Sequence, residues 1–158
     1  MTIRLPATEA LKIAYFAALQ EGDAEAVRGL LAKNKSLPSC KLRGDWAYPE
    51  EYELDAYKFL GAYIGSLTGL QCALLQGSEE LAMDILDTTL STDIDITYGD
   101  GNTALHLAAF LGHHSLVQGL LERGARPTLK NGKGFTPLDV TQDPALIALL
   151  QDHSSSPR

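Results

Sequence analysis

The feature of this sequence that most constrains its fold is an internal repeat with a period of about 33 residues. Residues 101–106 (GNTALH) align with residues 134–139 (GFTPLD) after a shift of 33 positions. Residues 68–73 (TGLQCA) align with residues 103–108 (TALHLA) after a shift of 35 positions. A repeat of this length indicates a solenoid, in which each unit buries its apolar face against its neighbours.

Each unit has the pattern of a helix, a turn and a second helix. In the third unit, residues 103–110 predict a short first helix that ends at Gly112, because glycine tolerates the left-handed conformation that closes a helix. Residues 115–123 carry apolar side chains three and four positions apart, which predicts the buried stripe of a second helix. In the last unit, Asp143 and Pro144 predict the restart of a shortened final helix. The units span about residues 5–35, 64–97, 98–130 and 131–153.

A threonine precedes the first helix in three of these units, and a polar residue follows it three positions later. The pairs are Thr68 with Gln71, Thr103 with His106, and Thr136 with Asp139. A threonine hydroxyl can accept a hydrogen bond from a free N–H of the first turn, and the later residue can reach back to the same turn. We therefore predict that the pairs start helices and link neighbouring turns.

Residues 101–125 (GNTALHLAAFLGHHSLVQGLLERGA) and residues 134–140 (GFTPLDV) resemble the ankyrin repeat, whose hallmark is Thr-Pro-Leu-His-x-Ala in a unit of about 33 residues. The likeness is closest over residues 98–140 and fades toward residues 5–35. The resemblance implies an all-α solenoid of stacked helix-turn-helix units with projecting hairpin loops. We expect one domain over residues 1–153, followed by a flexible tail at 154–158.

An insertion of about residues 36–63 separates the first two units, and it contains the only tryptophan of the chain. Loops of this length inside a compact domain are usually functional or disordered, and the aromatic residues here argue against disorder. Residues 53–63 predict a short helix with Ala56, Phe59, Leu60 and Tyr63 on one side. Two interpretations stay open: the aromatic side chains pack down to seal the first unit, or they form a recognition surface.

The charge of the chain is concentrated in its middle third. The formal net charge is −7, but residues 45–100 hold twelve acidic residues and one basic residue, a balance of 1 − 12 = −11. An acidic block attracts a basic partner, whereas binding to nucleic acid requires a basic stripe. The alternative is an acidic face that only keeps the protein in solution.

Three histidines and the two cysteines are the candidates for chemistry. His106 and His113 are separated by the helix-ending Gly112, and His114 is adjacent to His113, so they lack the spacing of metal ligands on one helix face. Cys72 aligns with a core position of the next unit. No phosphate-binding glycine motif or nucleophile elbow is present. We therefore predict no catalytic residue, no metal site and no cofactor.

The resemblance implies that partners bind to the hairpin tips and to the exposed side of each first helix, on the concave face. Leu75, Phe110 and Leu111 are apolar at such positions, which predicts an open apolar strip. The competing explanation is that the insertion folds over them. The predicted partner-binding residues are Trp46, Tyr48, Glu50, Glu51, Tyr52, Leu75, Gln76, Tyr98, Asp100, Asn102, Phe110, Leu111, Lys133 and Phe135.

The expected function is that of a non-catalytic scaffold or adaptor that binds another protein or peptide with basic and apolar elements. The alternative is a dedicated chaperone or escort for a basic client, such as a ribosomal or nucleic-acid-binding protein. We expect a monomer that binds neither nucleic acid nor membranes. Two cysteines without a disulfide framework, and no apolar run of membrane-spanning length, favour a cytoplasmic or nuclear location.

Overall fold

The structure, a computed structural model, describes residues 7–155 and the side chains of residues 9–153. Its α-helices are α1 (Ala7–Glu21), α2 (Ala24–Lys33), α3 (Glu53–Phe59), α4 (Gly69–Leu75), α5 (Glu79–Thr88), α6 (Ala104–Leu111), α7 (His114–Glu122) and α8 (Pro144–Ser155). Four 3-10 turns lie at Leu37–Ser39, Glu50–Tyr52, Ser91–Asp93 and Pro137–Val140. Two short strands, β1 (Lys41–Arg43) and β2 (Ser66–Thr68), complete the described elements.

The helices stack in two rows, as the repeat predicts. The first-helix row contains α1, α4, α6 and the turn Pro137–Val140, and each packs against the next. The second-helix row contains α2, α5, α7 and α8 in the same order. The apolar stripe of the repeats, which includes Leu105, Leu116 and Leu120, is fully buried between the rows. The structure therefore confirms the ankyrin-like helical stack.

The predicted helix boundaries are found where local signals set them. Gly112 has φ 79° in the left-handed region and ends α6. α8 begins at Pro144, and the shortened first helix of the last unit is a 3-10 turn. α8 continues to Ser155, while residues 156–158 of the predicted flexible tail lie outside the described residues. None of the helices in the described part of the chain is long and apolar enough to cross a membrane.

The threonine pairs cap the first helices, and two of them also bond to a later segment of the chain. The N–H of Thr68 donates to Gln71 Oε1 at 2.9 Å, and Gln71 Nε2 donates to the Ile96 carbonyl at 2.7 Å. In the next unit, the N–H of Thr103 donates to His106 Nδ1 at 3.2 Å. In the last unit, the corresponding N–H of Thr136 donates to the Asp139 carboxylate at 3.0 Å.

His106 holds a single neutral tautomer in this arrangement. Because Nδ1 accepts the Thr103 N–H, the ring proton is on Nε2, which donates to the Phe135 carbonyl at 2.9 Å. Burial lowers the pKa of His106 below its usual 6.5, although the Phe135 carbonyl and the more distant carboxylates Asp139 and Asp95 act in the opposite direction. The imidazole therefore connects the start of α6 to the hairpin of the last unit.

The insertion differs from the all-α expectation in having a two-stranded antiparallel ladder at its base. Lys41 pairs with Thr68, Leu42 with Leu67, and Arg43 with Ser66. The ladder brings together the points where the chain leaves the first unit and enters the second. Residues 44–65 consequently form a closed loop, whose helix α3 ends at Phe59 rather than at Tyr63. Gly61, with φ 93°, causes this early end.

We expect His106→Ala to lower the free energy of unfolding by about 2–3 kcal/mol, because it removes a cap and leaves buried backbone groups unpaired. Urea unfolding monitored by circular dichroism would measure the loss. Thr128→Ala, at an exposed position, is the control and should change stability little. A loss under about 0.5 kcal/mol for His106→Ala would contradict this role of the imidazole.

We expect the stability of the protein to fall as the pH is lowered from about 7.5 to about 5.5. The unfolded chain takes up a proton at His106 below about pH 6.5, whereas the folded chain, with its lowered pKa, resists protonation. His106→Gln should keep the cap, since Gln71 has this role in the preceding unit, and should make the fall smaller. Equal pH dependence in both proteins would show that His106 does not contribute.

Candidate protein-binding surface

The insertion lies across the first-helix row and contacts several units. The ring of Trp46 packs beside α1, with a centroid distance of 6.5 Å to its phenylalanine. Tyr52 meets Phe110 of α6 in an edge-to-face contact at 6.2 Å. Phe59 meets Phe135 of the last unit in the same manner at 5.4 Å. The insertion therefore occupies the side on which the hairpins and first helices would be open to a partner.

This arrangement corrects the prediction of an open apolar strip. Leu75 is buried, with 8% of its surface exposed, and Phe110 and Leu111 are half-buried. The competing explanation holds for Phe110, which the insertion covers with the ring of Tyr52. The physical reason is that Tyr52 supplies an apolar ring from within the chain, so less of the strip remains in contact with water.

Two buried asparagines hold the C-terminal end of α3 on the repeats. Asn102 Nδ2 donates to the Leu60 carbonyl at 2.8 Å, and Asn131 Nδ2 donates to the Phe59 carbonyl at 2.9 Å. Asn131 Nδ2 also donates to Asn102 Oδ1 at 2.8 Å. The last carbonyls of a helix have no partners within it, so these side chains satisfy groups that would otherwise be buried without hydrogen bonds. Asn102 is thus an anchor of the insertion and is not exposed to a partner, contrary to its prediction.

Tyr48 and Tyr98 were also predicted to contact a partner, and the structure buries both. Their exposed fractions are 5% and 2%, and their hydroxyl oxygens are 3.1 Å apart. Burial raises the pKa of Tyr48 to about 12. This pair joins the insertion to the hairpin before α6, a contact between segments 50 residues apart that local sequence patterns do not reveal.

Several predicted site residues are accessible on the outer side of the insertion and on the hairpin tips. Trp46, Leu111 and Phe135 are half-buried, and Trp46 Nε1 donates to the Leu42 carbonyl at 3.0 Å. The side chains of Asp100 and Lys133, at the hairpin tips, both lie close to Gly61. The exposed members of the predicted set are Glu50, Glu51, Tyr52, Gln76, Asp100 and Lys133.

The sequence interpretation missed three residues of this surface. Leu54 is 83% exposed and Tyr57 is 40% exposed on the outer side of α3. Asn131, the second anchor, was considered only as part of a hairpin tip. The helical spacing correctly placed Ala56 and Leu60 inside. However, Tyr63 lies beyond the helix end and is 60% exposed.

Several carboxylates of the insertion lack cationic partners. Outside the insertion, Arg28 of α2 pairs with Asp84 of α5 at 2.8 Å, and Arg126 pairs with Asp95 at 3.1 Å between two loops. In the insertion, the exposed carboxylates belong to Asp45, Glu50, Glu51 and Asp55. They form no ion pair with any residue whose side chain the structure describes. Unpaired negative charge is therefore exposed on the insertion.

A groove separates the 3-10 turn Glu50–Tyr52 from the ends of α4 and α6. Its volume is about 320 Å³. Pro49, Glu51 and Tyr52 line it from the insertion, and Leu75 and Leu111 line it from the repeats. The groove thus combines apolar walls with one exposed carboxylate.

The side chains that were considered for chemistry have structural partners. His113 Nδ1 lies 2.9 Å from Glu79, and His114 Nε2 lies 2.6 Å from Asp143 and lowers the pKa of that carboxyl. Cys72 is buried, as predicted, which raises the pKa of its thiol to about 11. Within the part of the chain that the structure describes, no group of three His, Cys, Asp or Glu side chains could hold a metal ion.

Comparison with known proteins agrees with this architecture. Residues 100–132 match the family model of the ankyrin repeat, and they correspond to the hairpin before α6, the pair α6 and α7, and the turn after them. The chain therefore contains an ankyrin repeat within a stack of ankyrin-like units. Ankyrin repeats are generally non-catalytic modules for protein–protein interaction.

The chain is also similar to named ankyrin-repeat proteins. It is 39% identical over 85 residues to ankyrin repeat and SOCS box protein 11 of Danio rerio, which is 53% of this chain and 28% of that protein. It is 42% identical over 59 residues to inversin of Gallus gallus, which is 37% of this chain and 5% of that protein. It is 44% identical over 57 residues to ankyrin repeat domain-containing protein 9 of Mus musculus, which is 36% of this chain and 16% of that protein. The matched segment is thus a small part of each relative.

We expect Asn131→Ala to release the end of α3 from the repeats. The Asn131 side chain donates to the Phe59 carbonyl and to Oδ1 of Asn102, the other anchor of α3. Hydrogen–deuterium exchange of residues 53–60 should become faster by about tenfold, which corresponds to about 1.4 kcal/mol of local stability. Exchange in α7 should be unaffected. Thr128→Ala, an exposed position near the same hairpin, is the control. Unchanged exchange in α3 would contradict the anchoring role.

Proposed function

We propose that this protein is a non-catalytic scaffold or adaptor that binds a protein or peptide with basic residues next to an apolar one. The binding surface would be the outer side of the insertion together with the adjoining groove. The observation that supports this proposal most directly is the group of unpaired carboxylates, Glu50, Glu51 and Asp55, beside the partly exposed ring of Tyr52.

Electrostatics favours a basic partner for this surface. Carboxylates that already have cationic neighbours gain little from a further cation, whereas unpaired ones attract it and raise its association rate. The unpaired carboxylates lie in the segment of residues 45–100, where the balance is −11. A partner that carries Lys or Arg would therefore meet this surface first.

The position of the insertion explains why it would itself take part in binding. It covers the side of the first-helix row on which ankyrin-like units usually bind partners. Tyr52 and Leu54 are 39% and 83% exposed, so the insertion also presents apolar groups outward. Aromatic residues with a polar surround are typical anchors of protein interfaces. The two cysteines are free thiols, in keeping with a cytoplasmic or nuclear setting for this interaction.

A second candidate function is that of an escort for a basic client, such as a ribosomal or nucleic-acid-binding protein. The net charge of −7 favours it, because an acidic surface can screen a basic client from other polyanions. An escort should keep its client in solution at low salt, whereas an adaptor should bind a short segment of a larger partner. A sedimentation assay of the isolated client with and without this protein would distinguish the two.

We expect selection from a random peptide library on the immobilised protein to enrich peptides with Lys or Arg next to an apolar residue. Affinity for the selected peptides should fall about tenfold when salt is raised from about 50 mM to about 300 mM, because the attraction between exposed charges is screened. The variant Glu50→Gln/Glu51→Gln/Asp55→Asn should lose most of the binding, since it removes the unpaired carboxylates.

The matched control for this variant is Glu25→Gln/Asp93→Asn/Glu122→Gln, which removes the same number of carboxylates away from the insertion. It should bind the selected peptides almost as well as the unchanged protein. Enrichment without any excess of basic residues, or an affinity that does not respond to salt, would contradict the proposed function.

A further inference from the structure

We propose that the groove between the turn Glu50–Tyr52 and the ends of α4 and α6 receives one arginine side chain of the partner. This inference rests on the proposed function and makes it specific at one position. The groove has a volume of about 320 Å³, near the lower end of the range of about 300–1,000 Å³ for ligand pockets. It is therefore suited to one long side chain and too small for a helix.

The walls of the groove fit the aliphatic part of such a side chain. Leu75 and Leu111 line it from the first-helix row, and Pro49 lines it from the insertion. Long basic side chains bury their methylene groups on apolar surface while their charged ends stay accessible to water or to a counterion. These three residues would contact the methylene groups, because an apolar wall gives a charged end group no hydrogen bond.

The charged end of the arginine would be held by Glu51 and Tyr52. The Glu51 carboxylate lines the groove, is exposed, and forms no ion pair with any side chain that the structure describes. The histidine of the lining, His113, is already in contact with Glu79 at 2.9 Å. Glu51 is therefore the acceptor left for an incoming cation.

Tyr52 is the residue that favours arginine over lysine. Its ring is fixed on one side by the edge-to-face contact with Phe110 and remains 39% exposed. A planar guanidinium can stack on an aromatic ring and donate two parallel N–H bonds to a carboxylate, whereas an ammonium group acts as a point charge. Glu51 and Tyr52 both line the groove, so one guanidinium can contact both.

The test is a titration of the protein with Nα-acetylarginine amide, followed by ¹H–¹⁵N correlation spectra. We expect shifts confined to the amides around the groove, in particular those of Gln76, Gly77 and Leu111, with a dissociation constant in the millimolar range. Nα-acetylcitrulline amide has nearly the same shape without the charge and should cause much smaller shifts. Nα-acetyllysine amide should bind about threefold more weakly than the arginine compound.

Two variants assign the interaction to the named residues. Glu51→Gln should weaken binding of the arginine compound about three- to fivefold, the range expected for an exposed ion pair. Tyr52→Leu keeps an apolar side chain but removes the ring, and it should abolish the preference for arginine over lysine. Asp45→Asn is the matched control, since it removes an exposed carboxylate of the same insertion that does not line the groove, and it should leave the affinity unchanged.

The inference is overturned if the arginine compound causes no localised shifts, if citrulline binds equally well, or if Glu51→Gln binds as well as the unchanged protein. Its failure is distinguishable from failure of the proposed function. If basic peptides bind with the expected salt dependence but the arginine compound does not bind, the proposed acidic surface is still supported. The proposed arginine site is then refuted. If the library yields no basic peptides, the proposed function itself fails.

Discussion

The stack depends on hydrogen bonds that join the first turn of a first helix to the segment after its second helix. Gln71 and His106 each accept the N–H of a capping threonine and donate to a carbonyl of the following segment. An N–H group at a helix start and a loop carbonyl would each destabilise the folded protein if they were buried without hydrogen bonds. One side chain bonds to both groups. Because the His106 bond reaches the hairpin of the last unit, the start of α6 is held by its neighbour as well as by its own sequence.

The insertion follows the same physical rule with different residues. The carbonyls at the end of α3 are buried, and Asn102 and Asn131 satisfy them from the hairpins of two units. The loop between Lys41 and Thr68 is closed by the ladder at its base, which reduces the entropy that its ordering costs. The apolar side of the first-helix row is thereby covered from within the chain. The exposed side of the insertion carries unpaired carboxylates, and a groove lies between the turn Glu50–Tyr52 and the ends of α4 and α6, in place of a broad apolar strip.

Sequence reasoning succeeded where the cause of a structure lies within a few residues. Four features depend only on neighbours in one or two turns: the threonine pairs, the glycine at the end of α6, the proline at the start of α8 and the buried Cys72. Sequence reasoning failed where the cause of a structure is a distant segment. The Tyr48 hydroxyl bonds to that of Tyr98, and Phe110 contacts Tyr52, and neither contact leaves a periodic signal. Leu54, exposed on α3, was missed because its environment depends on how the whole insertion is placed.

The repeat, the helices, their caps and the excess of negative charge in the middle third are readable from the sequence, because each follows from spacing and composition. The fold is needed to tell which residues of the insertion turn inward and which carboxylates are left without a partner. The reason is that burial and charge pairing are relations between surfaces. The path of residues 44–65 across the first-helix row is set by contacts with two hairpins that lie 42 and 72 residues away in the chain.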